Sequence, residues 1–262
     1  MAQVHNRSPR FHRNMSRLEA IAMVGFAVAA VWVMARVGYG LVALAPASLW
    51  LLALVPIGMA MAALATAAVH YFADNFYDEN TPLVGPAFVF RFRQHHEQPG
   101  LICTLTFREM NAPGLMLTTP FMIALVFVPI ATTPWGLGLG VLGVAFLVSA
   151  ALTNQIHRWA HAPKNHPIVR WLQRSGIILS PEHHAAHHRA PHDVRFGITN
   201  GWLDGLLDRT GAWHRLTELL VAIGARQAPE SVMGRSRRPH GSSVNVSQSA
   251  SLPRSSPRVN HF

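Results

Sequence analysis

Cysteine is nearly absent from this 262-residue chain, with Cys103 its one example. That excludes a disulfide within the chain and a zinc site of four thiolates. Carboxylates are scarce too: twelve Asp and Glu stand against 22 Lys and Arg. A metal cage built mainly from Asp and Glu, as in soluble di-iron bundles, therefore has few groups to draw on. No flavin or haem motif is present, so electrons for redox chemistry would come from outside. No internal repeat is evident. The basic stretch "NRSPRFHRNMSR" is long for the start of a signal peptide, and no small-residue cleavage site ends the apolar run after it. A cleaved signal is not expected.

Apolar residues, in contrast, make up half the chain and fall in long runs. The formal net charge is +10, which points to anionic lipid or nucleic acid as a neighbour. The runs favour lipid. Nucleic-acid binding is disfavoured because the basic tail lacks interleaved aromatics and a reading module. Four runs approach the roughly 20 residues that cross a bilayer core. They are 18–44, interrupted by Arg36; 48–69; 114–133, with Pro120 and Pro129; and 135–153. The last two are joined by the uncharged "ATTPWG" and read as a transmembrane hairpin. The N-terminal arm 1–17, the 70–113 loop with Arg91, Arg93 and Arg108, and the chain after Asn154 hold the basic residues. The two short connections hold almost none. Basic residues collect on the cytoplasmic side, so four crossings with both termini inside are expected.

The expected fold is thus an all-α integral membrane protein of four transmembrane helices. A cytosolic helical cap carries a histidine-rich di-metal site. Within the cap, "HPIVRWLQRSGIIL" (166–179) is amphipathic, with Ile168, Trp171 and Leu172 on one face and Arg170 and Arg174 nearby. It is either an in-plane interfacial helix or a helix packed on protein. Residues 225–262, rich in Ser, Pro and Arg, read as a disordered basic tail.

Histidine is the other abundance, with sixteen in all. "HRWAH" sets His157 and His161 four apart, on one helical face. In "HHAAHHRAPH", His184, His187 and His188 share a face in the same way, while Pro191 places His192 past the helix end. "HYFAD" pairs His70 with Asp74. In "RQHHE", His95 and His96 lie about a hundred degrees apart on a helix, so they serve different centres or bind from a loop.

One mononuclear site needs three or four protein ligands. The eight clustered histidines exceed that and suit two metals in a shared cavity: His70, His95, His96, His157, His161, His184, His187 and His188. Imidazole accepts iron, copper, nickel or zinc. Asp74, Asn154, His183 and His192 are further candidates, as ligands or as groups bracing one. Asn154 equally suits a backbone cap at the membrane edge, and His183 an outward-facing neighbour of His184. His5, His12, His166, His214, His240 and His261 have no clustered partner and read as ordinary surface histidines. A basic rim of Arg91, Arg93, Lys164, Arg189 and Arg195 either meets a lipid phosphate or an acidic electron donor, or only marks the inside face. A membrane metal transporter would set its ionisable ligands within the crossings, and these are nearly free of them.

The segments "VHYFADNF", "FRQHHEQP", "REMN", "NQIHRWAH" and "PEHHAAHHRAPHDVRFGITNGWLD" closely resemble the Kua lipid desaturase family. That family contains plasmanylethanolamine desaturase and its bacterial CarF-like relatives, and the resemblance covers about residues 66–215. It implies a non-haem di-iron membrane enzyme in a domain of about 18–224. Its substrate would be an ether phospholipid, desaturated beside the ether oxygen to the vinyl ether of plasmalogens, or the acyl chain of a phospholipid. It implies O2, two external electrons from a small donor, and metal boxes at His157 and His161 and at His184, His187 and His188. His70, Asp74, His95 and His96 match the upstream motifs. His70-Tyr71 stands where relatives carry His-Trp, and the ubiquitin-conjugating-like extension of some relatives has no counterpart here. A lipid hydroxylase with the same metals is the enzymatic rival, and a metal-binding membrane protein the non-enzymatic one.

Overall fold

A computed structural model describes residues 9–44, 49–78, 80–81, 89–229 and 231–233, with backbone alone for 9–15 and 90–92. The regular elements among the described residues are all helices, with no strand. Four long helices form the bundle: α1 (Pro9–Ala43), α2 (Leu54–Asn75, preceded by a 3-10 turn Leu49–Ala53), and then, after α3 (Phe90–Glu97), α4 (Phe107–Val126) and α5 (Pro134–His161). The cap follows as α6 (Pro167–Arg174), α7 (Pro181–His187), α8 (Asp204–Arg209) and α9 (Ala212–Ala222).

Three segments among the described residues are long and apolar enough to cross a membrane: Ser16–Ala43, Leu49–Asn75 and Pro134–His161. Ile21, Val24, Val28 and Val31 turn more than half their surface outward from α1, as lipid-facing side chains do. The remaining expected crossing is α4, which packs against α1 and α5. It begins at Phe107 rather than at residue 114, because Thr106 and Glu109 close a reciprocal capping box there. The polar first turn lowers its hydropathy, and the helix ends at Val126, short of Pro129.

Arg36 does not break α1. Its guanidinium donates to the carbonyls of Val126 (2.5 Å) and Val128 (2.8 Å), at the end of α4 where helical carbonyls lack partners. At the opposite end of the same helices, Arg108 donates to Ser16 Oγ at 2.9 Å and pairs with Glu19 at 3.5 Å. The two contacts fix α1 and α4 as parallel neighbours. Between α2 and α5 the backbones come close at Gly58, where a Cβ would stand 2.7 Å from the Leu142 carbonyl and 2.8 Å from the Ala145 Cβ. Small residues allow such approach between helices in lipid.

Phe26, Val33, Leu115, Met122, Leu137 and Val141 belong to the core of the bundle. Two smaller apolar clusters flank the cap. One joins Ala73, Ile156 and Ala160 to Val169, Leu179 and Ile198; the other joins Ala67 and Tyr71 to Phe196, Trp213, Val232 and Met233. On α6, Leu172 packs on the first cluster, while Ile168 and Trp171 are more than half exposed. Ordered packing continues past residue 225. Asn75 Oδ1 accepts from Ser231 Oγ (2.8 Å) and from the Met233 N–H (2.9 Å). Residues 1–8 of the expected arm, 234–262 of the expected tail and the Arg91 side chain lie outside the described residues.

Candidate metal centre

Four helical segments bring imidazoles to one place. The C-terminal ends of α2 and α5 supply His70 with Asp74 and His157 with His161. α3 supplies His95 and His96. α7 starts where Ser180 Oγ accepts the His183 N–H at 3.1 Å, with Pro181 at the first helical position, and so presents His184 and His187 with His188 as its C-cap.

These side chains divide into two sets. His95, His157, His161, His184 and His188 form one; His70, Asp74, His96 and His187 form the other. In each set the ligand atoms lie within 4.8 Å of one another. The adjacent histidines of α3 therefore part, one to each set, and α7 likewise divides His184 and His188 from His187. The sets abut, with the His95 and His96 ring centroids 4.5 Å apart and those of His70 and His157 6.2 Å apart.

Hydrogen bonding alone does not account for this geometry. His184 Nε2 lies 2.8 Å from His157 Nε2, 2.8 Å from His161 Nε2 and 3.0 Å from His188 Nε2. A ring nitrogen carries one proton or one lone pair, so it makes one such bond, not three. Nitrogen ligands about 2.0–2.1 Å from an ion and at right angles to each other are about 3 Å apart, which the observed spacing matches. In the second set, Asp74 is buried and neither carboxylate oxygen accepts a hydrogen bond. Its Oδ2 instead faces the Nε2 atoms of His70, His96 and His187 at 3.2, 3.8 and 3.9 Å. A buried carboxylate ringed by nitrogens fits a cation between them.

Two tautomers are fixed by the backbone. His70 Nδ1 is 3.1 Å from the Phe196 carbonyl and His187 Nδ1 is 2.7 Å from the Val194 carbonyl. A carbonyl only accepts, so Nδ1 donates in both rings and Nε2 keeps its lone pair for a metal. In the cap, burial holds the His96, His184 and His187 imidazoles well below the ordinary histidine range, reinforced by the neighbouring rings. His188 is lowered to about 3, by burial and then by His161. At neutral pH these rings are uncharged, the state in which imidazole binds a metal.

The other candidates stand outside both sets. His183 turns to Asp204, with Nε2 2.7 Å from Oδ2, and Asp204 Oδ1 accepts the Gly197 N–H at 3.1 Å. A Cβ at Gly201 would stand 2.5 Å from His183 Nε2, so only glycine, here at φ +69°, leaves room for the pair. His192 stacks on His96 at 4.9 Å, and its Nδ1 donates to the His187 carbonyl at 3.0 Å. Asn154 donates to the Met110 carbonyl at 3.0 Å and ties α5 to α4. Of the basic rim, Lys164 and Arg189 are exposed and Arg93 and Arg195 half-buried. Sequence reasoning missed the acceptors at Val194 and Phe196, which act through backbone common to every residue type. It also missed Asp204, for which a buried acid after "GITNGW" was the available signal.

The lipid desaturase domain family matches residues 59–231, which includes every residue of both sets. The chain belongs to that family. Among curated relatives, this chain is 33% identical over 168 residues to plasmanylethanolamine desaturase 1 of Mus musculus, covering 62% of each protein. It is 31% identical over 143 residues to plasmanylethanolamine desaturase of Myxococcus xanthus, covering 55% of this chain and 50% of that one. It is 32% identical over 160 residues to the chloroplastic fatty acid desaturase 4 of Arabidopsis thaliana, covering 60% and 47%. The chain thus spans about half to three-fifths of the length of these relatives. No solved structure matches it.

Proposed function

We propose that this protein is an oxygen-dependent membrane lipid desaturase whose two ligand sets hold a pair of iron ions. The observation that carries the reading is the split of eight histidines and Asp74 into two adjacent buried sets beside the membrane-spanning helices. Iron is favoured among imidazole-binding metals by the family. The preferred substrate is a plasmanylethanolamine-type ether lipid, after the names of the mouse and bacterial relatives. The sn-1 alkyl chain would lose one hydrogen from each of its first two carbons, counted from the ether oxygen.

Iron bound there would supply the activation of O2 needed to break unactivated C–H bonds, a power no side chain has. The reaction consumes O2, two electrons and two protons and releases two waters along with the alkene. The electrons come from an external donor on the cytosolic side. This chain's part is positional. His70 and His187 are locked by backbone carbonyls, Asp74 supplies the negative charge, and His192 covers His96. The flanking apolar clusters, with Leu179, Ile198, Tyr71 and Phe196 buried in them, keep water from the metal side. In this reading the ends of α2 and α5 that carry the histidines, and both termini, face the cytosol, as the basic N-terminal arm and C-terminal region require.

The test is expression in a plasmalogen-deficient host, with acid-released aldehyde as readout. Aldehyde that disappears in His161→Ala and His187→Ala supports the ether reading. A second reading, acyl-chain desaturation, is favoured by the similarity to fatty acid desaturase 4. It would give lipids two hydrogens lighter without aldehyde. Products that gain an oxygen would identify a hydroxylase, and unaltered lipids in the presence of donor and O2 would defeat the proposal.

A further inference from the structure

Three threonine hydroxyls meet directly beneath the histidines, on the membrane side. Thr66 lies one turn before His70 on α2, and Thr153 one turn before His157 on α5; each offset is about 6 Å along the helix axis. Thr199 arrives from the loop whose Val194 and Phe196 carbonyls hold His187 and His70. Thr66 Oγ1 and Thr199 Oγ1 are 2.8 Å apart, and Thr199 Oγ1 is also hydrogen-bonded to Thr153 Oγ1. A cluster of hydroxyls between membrane helices is costly unless each is satisfied, so their pairing is informative.

Proton accounting gives the cluster a direction. Thr66 donates its hydroxyl proton to its own helix, at Ala62 O (2.8 Å) and Ala63 O (3.2 Å). Toward Thr199 it therefore accepts. Thr199 in turn accepts from Thr153. The Thr153 and Thr199 protons both point toward Thr66, and successive hydroxyls polarise one another along such a chain. Thr153 and Thr199 are buried, whereas Thr66 is half-buried. The open end of the chain is thus the donor end. The Ala62 carbonyl already accepts the Thr66 N–H within the helix, so the hydroxyl can turn outward at small cost.

We propose that Thr66, backed by Thr199 and Thr153, donates a hydrogen bond to the ether oxygen of the substrate chain and so sets which carbons face the metals. This rests on the ether-lipid desaturase reading. Desaturation beside the ether oxygen brings that oxygen within a bond or two of the reacting carbons. An ether oxygen only accepts, and bound among apolar side chains it would be left without a partner. A hydroxyl donor one turn from His70 meets that need, and it distinguishes an oxygen from a methylene at that point of the chain.

The test reads binding apart from turnover. The full-length, iron-loaded protein in lipid nanodiscs is exposed, without O2 or reductant, to equal amounts of a 1-O-hexadecyl phospholipid and its analogue with methylene in place of the ether oxygen. Retained lipids are counted by mass spectrometry. Wild type should enrich the ether lipid about three- to tenfold, as one net hydrogen bond gives. Thr66→Val and Thr199→Val should abolish the enrichment with iron content unchanged, and Thr66→Ser should keep it. Equal retention of both lipids by wild type, or enrichment that survives in Thr66→Val, overturns the proposal. Once O2 and a reductant are supplied, enrichment without any loss of hydrogen would retire the desaturase reading and leave the hydroxyl site standing.

Discussion

Replacing Asp74 with Asn should stabilise the metal-free protein and shrink the stabilisation that iron adds. Asp74 is 2% exposed, and neither oxygen accepts a hydrogen bond. Without a cation, its charge is balanced only by three neighbouring imidazoles, of which His96 and His187 resist protonation. Burying such a charge costs several kcal/mol, and neutral replacements of buried ionic groups commonly recover about 1–3 kcal/mol. At about 2–4 °C per kcal/mol for a chain of this size, the metal-free Asp74→Asn variant should melt about 2–12 °C higher than wild type.

Iron offsets that gain. Bound at a hundred times its Kd it stabilises wild type by about 2.7 kcal/mol, or about 5–11 °C. A neutral amide weakens the site by about ten- to a hundredfold, which removes about half or more of that gain. The assay is thermal unfolding of the detergent-solubilised protein, with chelator and with ferrous iron, alongside metal counting. A variant that melts lower by the same amount in both conditions, with full iron content, would show that Asp74 braces the fold and binds no metal.

Three further outcomes follow. The depressed cap histidines make the metal-free protein acid-sensitive. An unfolded chain takes up protons from about pH 6.5 downward, whereas folded His188 takes one up only near 3, so stability should be full above about 6.5 and fall steadily toward 3; a flat unfolding profile between pH 7 and 4 would contradict this. His183→Ala strands the Asp204 carboxylate, 2% exposed, and should cost about 3–5 kcal/mol in chemical denaturation. Because His183 lies outside both sets, the folded fraction should still carry two irons, and loss of one would make it a ligand. Arg36→Met uncaps the carbonyls of Val126 and Val128 and should cost about 1–3 kcal/mol; an unchanged unfolding midpoint would show that those carbonyls find other donors.

What the sequence revealed of the site came from helical spacing. His157 and His161, or His70 and Asp74, are four apart, which commits both members to one face whatever the tertiary fold. The spacing did not reveal how the faces are held. Val194 and Phe196 act through carbonyls, so their side chains carry no trace of the role. His183 sits beside His184 in the same decad but bonds Asp204, 21 residues on, a choice made by the turn at Gly201. The apolar runs located the bundle but not its ends. α5 continues past residue 153 to His161, because the polar turns that carry the histidines remain helical inside the cap. The start of α4 was legible as Thr-x-x-Glu at 106–109, a local signal that a hydropathy window averages away.

The central claim is that two adjacent ligand sets each hold an iron ion. An experimental structure of the purified protein, with anomalous scattering recorded on both sides of the iron absorption edge, tests it most directly. Two iron peaks are expected, one among His95, His157, His161, His184 and His188 and the other among His70, Asp74, His96 and His187. A single peak, a metal with no signal at the iron edge, or imidazoles that turn away from both positions would contradict it.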